Sequence, residues 1–80
     1  MSVASEIGER VQQLCDEGGI GPVDLERRAG FSRNSLFRWR TGTSVPSVES
    51  LLLLVGLFPG LDLHWLITGE RRHESAEAAE

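Results

Sequence analysis

Eighty residues allow one small domain, which at this size buries only roughly 60% of its unfolded surface, so a single domain with a compact core is expected within them. The longest apolar run, Leu51 to Phe58, stops at Pro59, far short of the roughly 20 residues of a bilayer span. Glu6 and Glu9 near the start are foreign to a secretory or transit peptide, so a soluble, cytosolic chain is expected. A formal net charge of −4 argues at first sight against a polyanionic partner.

No internal repeat and no sustained two-residue alternation is present, and the chain reads as all-helical. Ile7, Val11 and Leu14 recur at helical spacing among Glu6, Glu9, Arg10, Gln12 and Gln13, which predicts a first helix from about Ser5 to Glu17, ended by Gly18 and Gly19. Pro22 suits the first position of a second, short helix, and Asp24 in its first turn favours the positive end of the dipole. This helix turns Leu25 and Ala29 inward and stops at Gly30, the residue best able to take a left-handed conformation.

Ser32 is expected to cap a third helix, in which Leu36 and Trp39 form an inward pair and Gly42 ends the run. Its other face then holds Arg33, Asn34, Phe37 and Arg38. Ser47 caps a fourth helix with Val48, Leu51, Leu52, Val55 and Phe58 on one stripe, broken by Pro59 and Gly60. Asp62 caps a last short helix, with Leu61 and Leu66 placed as a hydrophobic staple and Gly69 closing it. Residues 1–69 thus form the domain, and the charged, alanine-rich residues 70–80 read as a frayed or disordered tail.

The second and third helices, joined by Ala29-Gly30-Phe31-Ser32, carry the functional signal, because a short turn containing Gly sets two helices near a right angle and exposes the second. Residues 20–42 accordingly read as a helix-turn-helix. Five of the eight arginines (Arg27, Arg28, Arg33, Arg38, Arg40) lie in this region, and no acidic residue occurs between Glu26 and Glu49. The region is locally basic, although charge alone is equally compatible with a solvated face. In a major groove, Arg pairs bidentately with guanine and Asn with adenine, and an apolar ring meets the thymine methyl. Arg33, Asn34, Phe37 and Arg38 are the candidate base contacts.

With Leu25, Gly30, Leu36, Trp39, Gly42 and Pro46-Ser47, and with the ending Asp62-Leu63-His64-Trp65-Leu66-Ile67-Thr68-Gly69-Glu70, the chain resembles the Cro and phage-repressor (XRE-type) helix-turn-helix family from about Ile7 to Glu70. The resemblance implies a compact five-helix, lambda-repressor-like domain, usually dimeric on DNA, in the bacterial cytoplasm or nucleoid. It also implies base contacts from Arg33, Asn34 and Arg38, and a phosphate-facing Ser35. Arg40, Thr41 and Thr43 complete the expected phosphate contacts.

Four positions depart from the family pattern, two of them as a pair. Pro22 stands where Gln usually braces a phosphate. Glu26 stands where a small residue is usual, so either the helix crossing widens or this carboxylate pairs with a nearby arginine. Cys15 and Arg40 replace an Arg and Glu pair. Changing both avoids the roughly 3–5 kcal/mol of stranding one buried charge, which leaves Arg40 free for phosphate and Cys15 as a small core residue.

No metal and no cofactor are expected, because Cys15 is the only cysteine and His64 and His73 have no ligands near them at metal spacing. No enzyme is expected either, for want of a nucleophile and base. Trp39 reads as core. Trp65, Leu53 and Leu57 are candidates for a dimer interface, with incidental exposure of Leu53 as the even alternative. The reading reached is a small regulator, a repressor of phage or bacterial type, bound as a dimer to a pseudo-palindromic DNA site. The alternative is a protein-interaction module, such as an antitoxin or a regulator-binding adaptor.

Overall fold

The computed structural model describes residues 3–70, and these form five helices with no strand: α1 (Val3–Gly18), α2 (Pro22–Ala29), α3 (Ser35–Arg40), α4 (Val48–Leu57) and α5 (Leu63–Thr68). The all-helical expectation therefore holds. The tail beyond Glu70, with His73, lies outside the described residues.

α1 turns Ala4, Ile7, Gly8, Val11 and Cys15 inward, one face at helical spacing. It is closed by Gly19 in the left-handed region (φ 70), with the Ile20 N–H donating to the Cys15 carbonyl at 2.8 Å. Pro22 occupies the start of α2 as expected. Gly30 (φ 75) ends that helix, its N–H donating to the Glu26 carbonyl. The core gathers Ile7, Val11 and Cys15 of α1 with Leu25, Leu36, Trp39, Leu54, Trp65 and Leu66. α1 packs chiefly on α3 and then on α5, while α2 packs on α4. Cys15 is fully buried, and that burial, with the Asp16 charge as a smaller contribution, pushes its thiol pKa above the ordinary range.

Both expected caps at the C-terminal end are present. The Ser47 hydroxyl accepts from the Ser50 N–H at 3.1 Å, and the Asp62 carboxylate accepts from the Trp65 N–H at 3.2 Å. Gly69 (φ 85) closes α5, and Leu61 and Leu66 both pack into the core.

The face presented by α4 corrects the sequence expectation. Leu54 is the residue fully buried, with Leu51, Leu57 and Phe58 half-buried beside it. Val48 and Leu52 remain 73% and 61% exposed, and Val55 is exposed as well. In Val-Glu-Ser-Leu-Leu-Leu-Leu-Val-Gly-Leu four consecutive leucines supply an apolar residue at every angle, so the pattern does not fix the rotation of the helix. The rotation is set by α4 packing on α2 and by Leu54 filling the core.

Candidate nucleic-acid interface

The turn between α2 and α3 runs from Gly30 to Asn34, longer than the four residues expected. Asn34, not Ser32, precedes the first turn of α3, and it does so in the left-handed region (φ 65), the single non-glycine residue to do so among the described residues. Asn tolerates that conformation better than most L residues. Ser32 is held differently: its carbonyl accepts from the Ser35 N–H at 3.2 Å and the Ser35 hydroxyl at 2.6 Å. Arg33 and Asn34 are consequently exposed turn residues rather than members of the helical face.

Along α3, Leu36 and Trp39 point into the core, and the Phe31 ring meets Trp39 edge to face with centroids 5.2 Å apart. Phe37 stands on the opposite side, 63% exposed. Ser35 is buried, its hydroxyl donating to the Ser32 carbonyl, so the structure places it inside the turn rather than toward solvent. Arg38 folds back over the same turn. Its guanidinium donates to the Arg33 carbonyl at 2.7 Å and to the Ser32 hydroxyl at 2.9 Å.

Arg40 is not free, contrary to expectation. It reaches across to α1, with Nε 3.4 Å from Glu9 Oε1 and Nη1 donating to Gln12 Oε1 at 3.3 Å. Both members of the ion pair are well exposed, so its strength is that of a surface pair, up to about 1 kcal/mol. Thr41 and Thr43 follow, exposed, with their hydroxyls 3.0 Å apart and Thr41 donating to the Phe37 carbonyl. Arg28 pairs with Asp24 at 3.1 Å rather than with Glu26.

Two residues that the sequence reading passed over position this surface. At Gly8 α1 runs directly against the backbone of Trp39 and Arg40, an approach any side chain would block. A glycine inside an otherwise good helix-forming run, unfavourable by about 0.5–1 kcal/mol relative to Ala, was the available signal. Arg10 donates through Nη1 to the Leu66 carbonyl at 3.0 Å and the Ile67 carbonyl at 3.3 Å, closing the end of α5 against α1. It was legible only as the one basic residue of α1.

The structure therefore leaves Arg33 and Asn34 exposed in the turn before α3, Phe37 exposed on it, and Thr41 and Thr43 exposed just after it. It sets Arg38 and Arg40 beside them in internal hydrogen bonds. Of the residues read as dimer candidates, Leu53 is exposed, Leu57 is half-buried, and Trp65 is buried in the core. Among the described residues no group of three His, Cys, Asp or Glu side chains is placed to hold a metal ion, and no helix is long and apolar enough to cross a membrane.

Fold and surface together define a small all-helical domain with a helix-turn-helix whose outward helix is bordered by arginines and hydroxyls. The chain is 33% identical over 66 residues to an uncharacterized HTH-type transcriptional regulator of Haemophilus influenzae, a match that covers 82% of this chain and 27% of that protein. The chain thus spans about a quarter of the length of the curated relative it matches. No protein-family model and no solved structure matches it.

Proposed function

We propose that this chain binds a specific double-stranded DNA site as a transcriptional regulator, a repressor that docks as a two-fold dimer on a pseudo-palindrome. The observation that carries the reading is the exposed row Arg33, Asn34, Phe37, Thr41 and Thr43 on a helix-turn-helix, within a stretch from residue 27 to residue 48 that holds no carboxylate. Its arginines and hydroxyls suit phosphate and base edges, and the acidic residues of α1 and the tail lie outside that stretch. The relative's name, a transcriptional regulator, agrees with it.

Within this reading Arg33 and Asn34 face base edges, while Thr41, Thr43 and Arg40 face phosphates. Arg40 leaves Glu9 when a phosphate replaces that weak exposed partner. Arg38 holds the turn in the free protein and reaches a base only by giving up its bonds to Ser32 and Arg33. Ser35, being buried, supports the turn instead of touching phosphate. The two-fold uses the uncovered side of α4 with Leu53, and half-sites lie about 34–36 Å apart or a multiple of that.

A mobility-shift titration of duplexes selected from a random pool tests the proposal. A preferred sequence and a salt slope of about −0.9 per phosphate neutralised are expected, and Arg40→Ala should reduce that slope by about 1. Equal binding to all duplexes at every salt concentration would overturn it.

A second reading is favoured by one feature, the apolar side of α4. There the chain is a protein-interaction module, an antitoxin or an adaptor that holds another regulator. Stoichiometric co-purification of a protein partner, with DNA held only at the non-specific level of roughly 10⁻⁴–10⁻⁶ M, would replace the first reading with this one.

A further inference from the structure

We infer that Phe37 reads the 5-methyl group of a pyrimidine in the major groove, so that each half-site contains one base pair at which a methyl group, rather than a hydrogen-bonding edge, is recognised. This rests on the DNA reading above. α3 is only six residues long, Ser35 to Arg40, and three of them, Ser35, Leu36 and Trp39, are buried. Arg38 is bound back to Ser32 and to the Arg33 carbonyl, and Arg40 is bound across to Glu9 and Gln12. The one side chain of the helix that both protrudes and makes no polar tie is Phe37, 63% exposed.

The fold does not need this ring. Phe31 supplies the aromatic partner of Trp39, and Leu36 fills the core position next to Phe37. Exposed polar residues, Arg33, Asn34 and Thr41, lie three or four positions to either side of Phe37 in the chain, so it is an apolar residue within a polar, locally basic segment. A phenyl ring offers base edges neither donor nor acceptor. The apolar group that a major groove displays is the pyrimidine 5-methyl of thymine or of 5-methylcytosine. Covering it removes about one methyl from water, roughly a 4-fold change in affinity.

The experiment uses the full chain and the preferred duplex from the random pool. Each thymine is replaced in turn by deoxyuridine, which removes the methyl and nothing else. One position per half-site should weaken binding about 3- to 5-fold, and the others should be nearly silent. At the sensitive pair, cytosine and 5-methylcytosine opposite guanine separate the two sources: regain with 5-methylcytosine over cytosine marks the methyl itself as the feature read. Phe37→Ala should erase the thymine-to-deoxyuridine difference while binding remains salt-dependent, and Phe37→Leu should retain it. Because Phe37 is exposed, unchanged melting of both variants is expected and certifies their fold.

Discrimination by Phe37→Ala equal to that of the unaltered chain overturns the inference. So does a preferred duplex in which every thymine is indifferent, an outcome that leaves the DNA reading standing. Loss of a protein partner on Phe37→Ala, with DNA binding untouched, reassigns the ring to protein contact and overturns it too. A pool that yields no preferred duplex fails the DNA reading and this inference with it.

Discussion

A Cβ built on Gly8 stands 2.6 Å from the Arg40 amide nitrogen and 2.8 Å from both the Arg40 Cα and the Trp39 carbonyl carbon, so α1 and α3 meet backbone to backbone. The contact fixes how far α3 stands from the body of the domain. Gly8→Ala should therefore force the two helices apart and destabilise the fold by about 1–3 kcal/mol, despite the better helix propensity of alanine. Gly56 is the control. It lies inside α4 with nothing within 4 Å of its Cβ position, and Gly56→Ala should stabilise by about 0.5–1 kcal/mol. Urea denaturation of both variants checks the opposite signs; a neutral or stabilising Gly8→Ala would show that the approach is not tight in solution.

Arg10 links the other side of α1 to the end of α5. Its side chain is only 17% exposed, and it carries the positive charge that the last carbonyls of a helix favour. Hydrogen bonds to a charged group contribute about 1.5–3 kcal/mol. Arg10→Ala should destabilise by about that amount, whereas Arg10→Lys, which keeps the charge but loses the planar fork, should destabilise by roughly half as much. Gly69 shares the site, since a Cβ there would lie 2.6 Å from Arg10 Nη2 on a residue with φ 85. Gly69→Ala should thus reproduce much of the Arg10→Ala effect in a thermal melt, and the double variant should fall short of the sum.

How legible these relationships were depends on whether a residue's role is local. Leu25, Leu36 and Trp39 at helical spacing, the left-handed Gly30, and the Ser47 and Asp62 caps all follow from chain neighbours, and the sequence reading placed them correctly. Ser32 did not follow, because Asn34 in the left-handed region competes for the same helix start and takes it. The inward side of α4 was lost in a run of leucines. Gly8, Arg10, and Arg40 with Glu9 depend on partners up to 57 residues away in sequence, and local spacing carries no record of such a partner. Of the candidate site, exposure of Arg33, Asn34, Phe37, Thr41 and Thr43 agrees with the sequence reading, while the internal ties of Ser35, Arg38 and Arg40 needed the fold.

Cys15 gives a pH dependence with a definite sign. Burial raises its pKa in the folded chain, so between the ordinary thiol pKa of about 8.5 and the raised folded value the unfolded chain has released a proton that the folded chain keeps. Stability is then fully present below about pH 8.5 and falls as pH rises from there. The chain holds no Tyr and no Lys, so no other side chain of ordinary pKa titrates in that window. The urea midpoint should be level from pH 7 to 8 and lower by pH 10, and Cys15→Ala, less stable at neutral pH because it leaves a small cavity, should lack the alkaline fall. An identical fall in Cys15→Ala would place the titrating group elsewhere.

The outer side of α4 carries the last prediction. Val48, Leu52 and Val55 recur at i, i+4 and i+7, all are exposed, and Leu53 is exposed beside them. Glu49 is the one charged residue of the helix, so two copies of α4 placed antiparallel would cover this stripe with few charges to desolvate. Covering a leucine contributes about 1.5–3 kcal/mol. A two-fold contact counts it twice, and Leu52→Glu should weaken dimerisation by at least about 100-fold. Because Leu52 is 61% exposed and outside the core cluster, Leu52→Glu should keep the melting profile of a folded monomer. Leu54→Glu, two residues on and on the opposite, core-facing side of the helix, buries an unpaired charge and should abolish the fold. Sedimentation velocity with and without a two-half-site duplex separates the cases. A folded Leu52→Glu chain that dimerises as tightly as the original would move the two-fold contact away from α4.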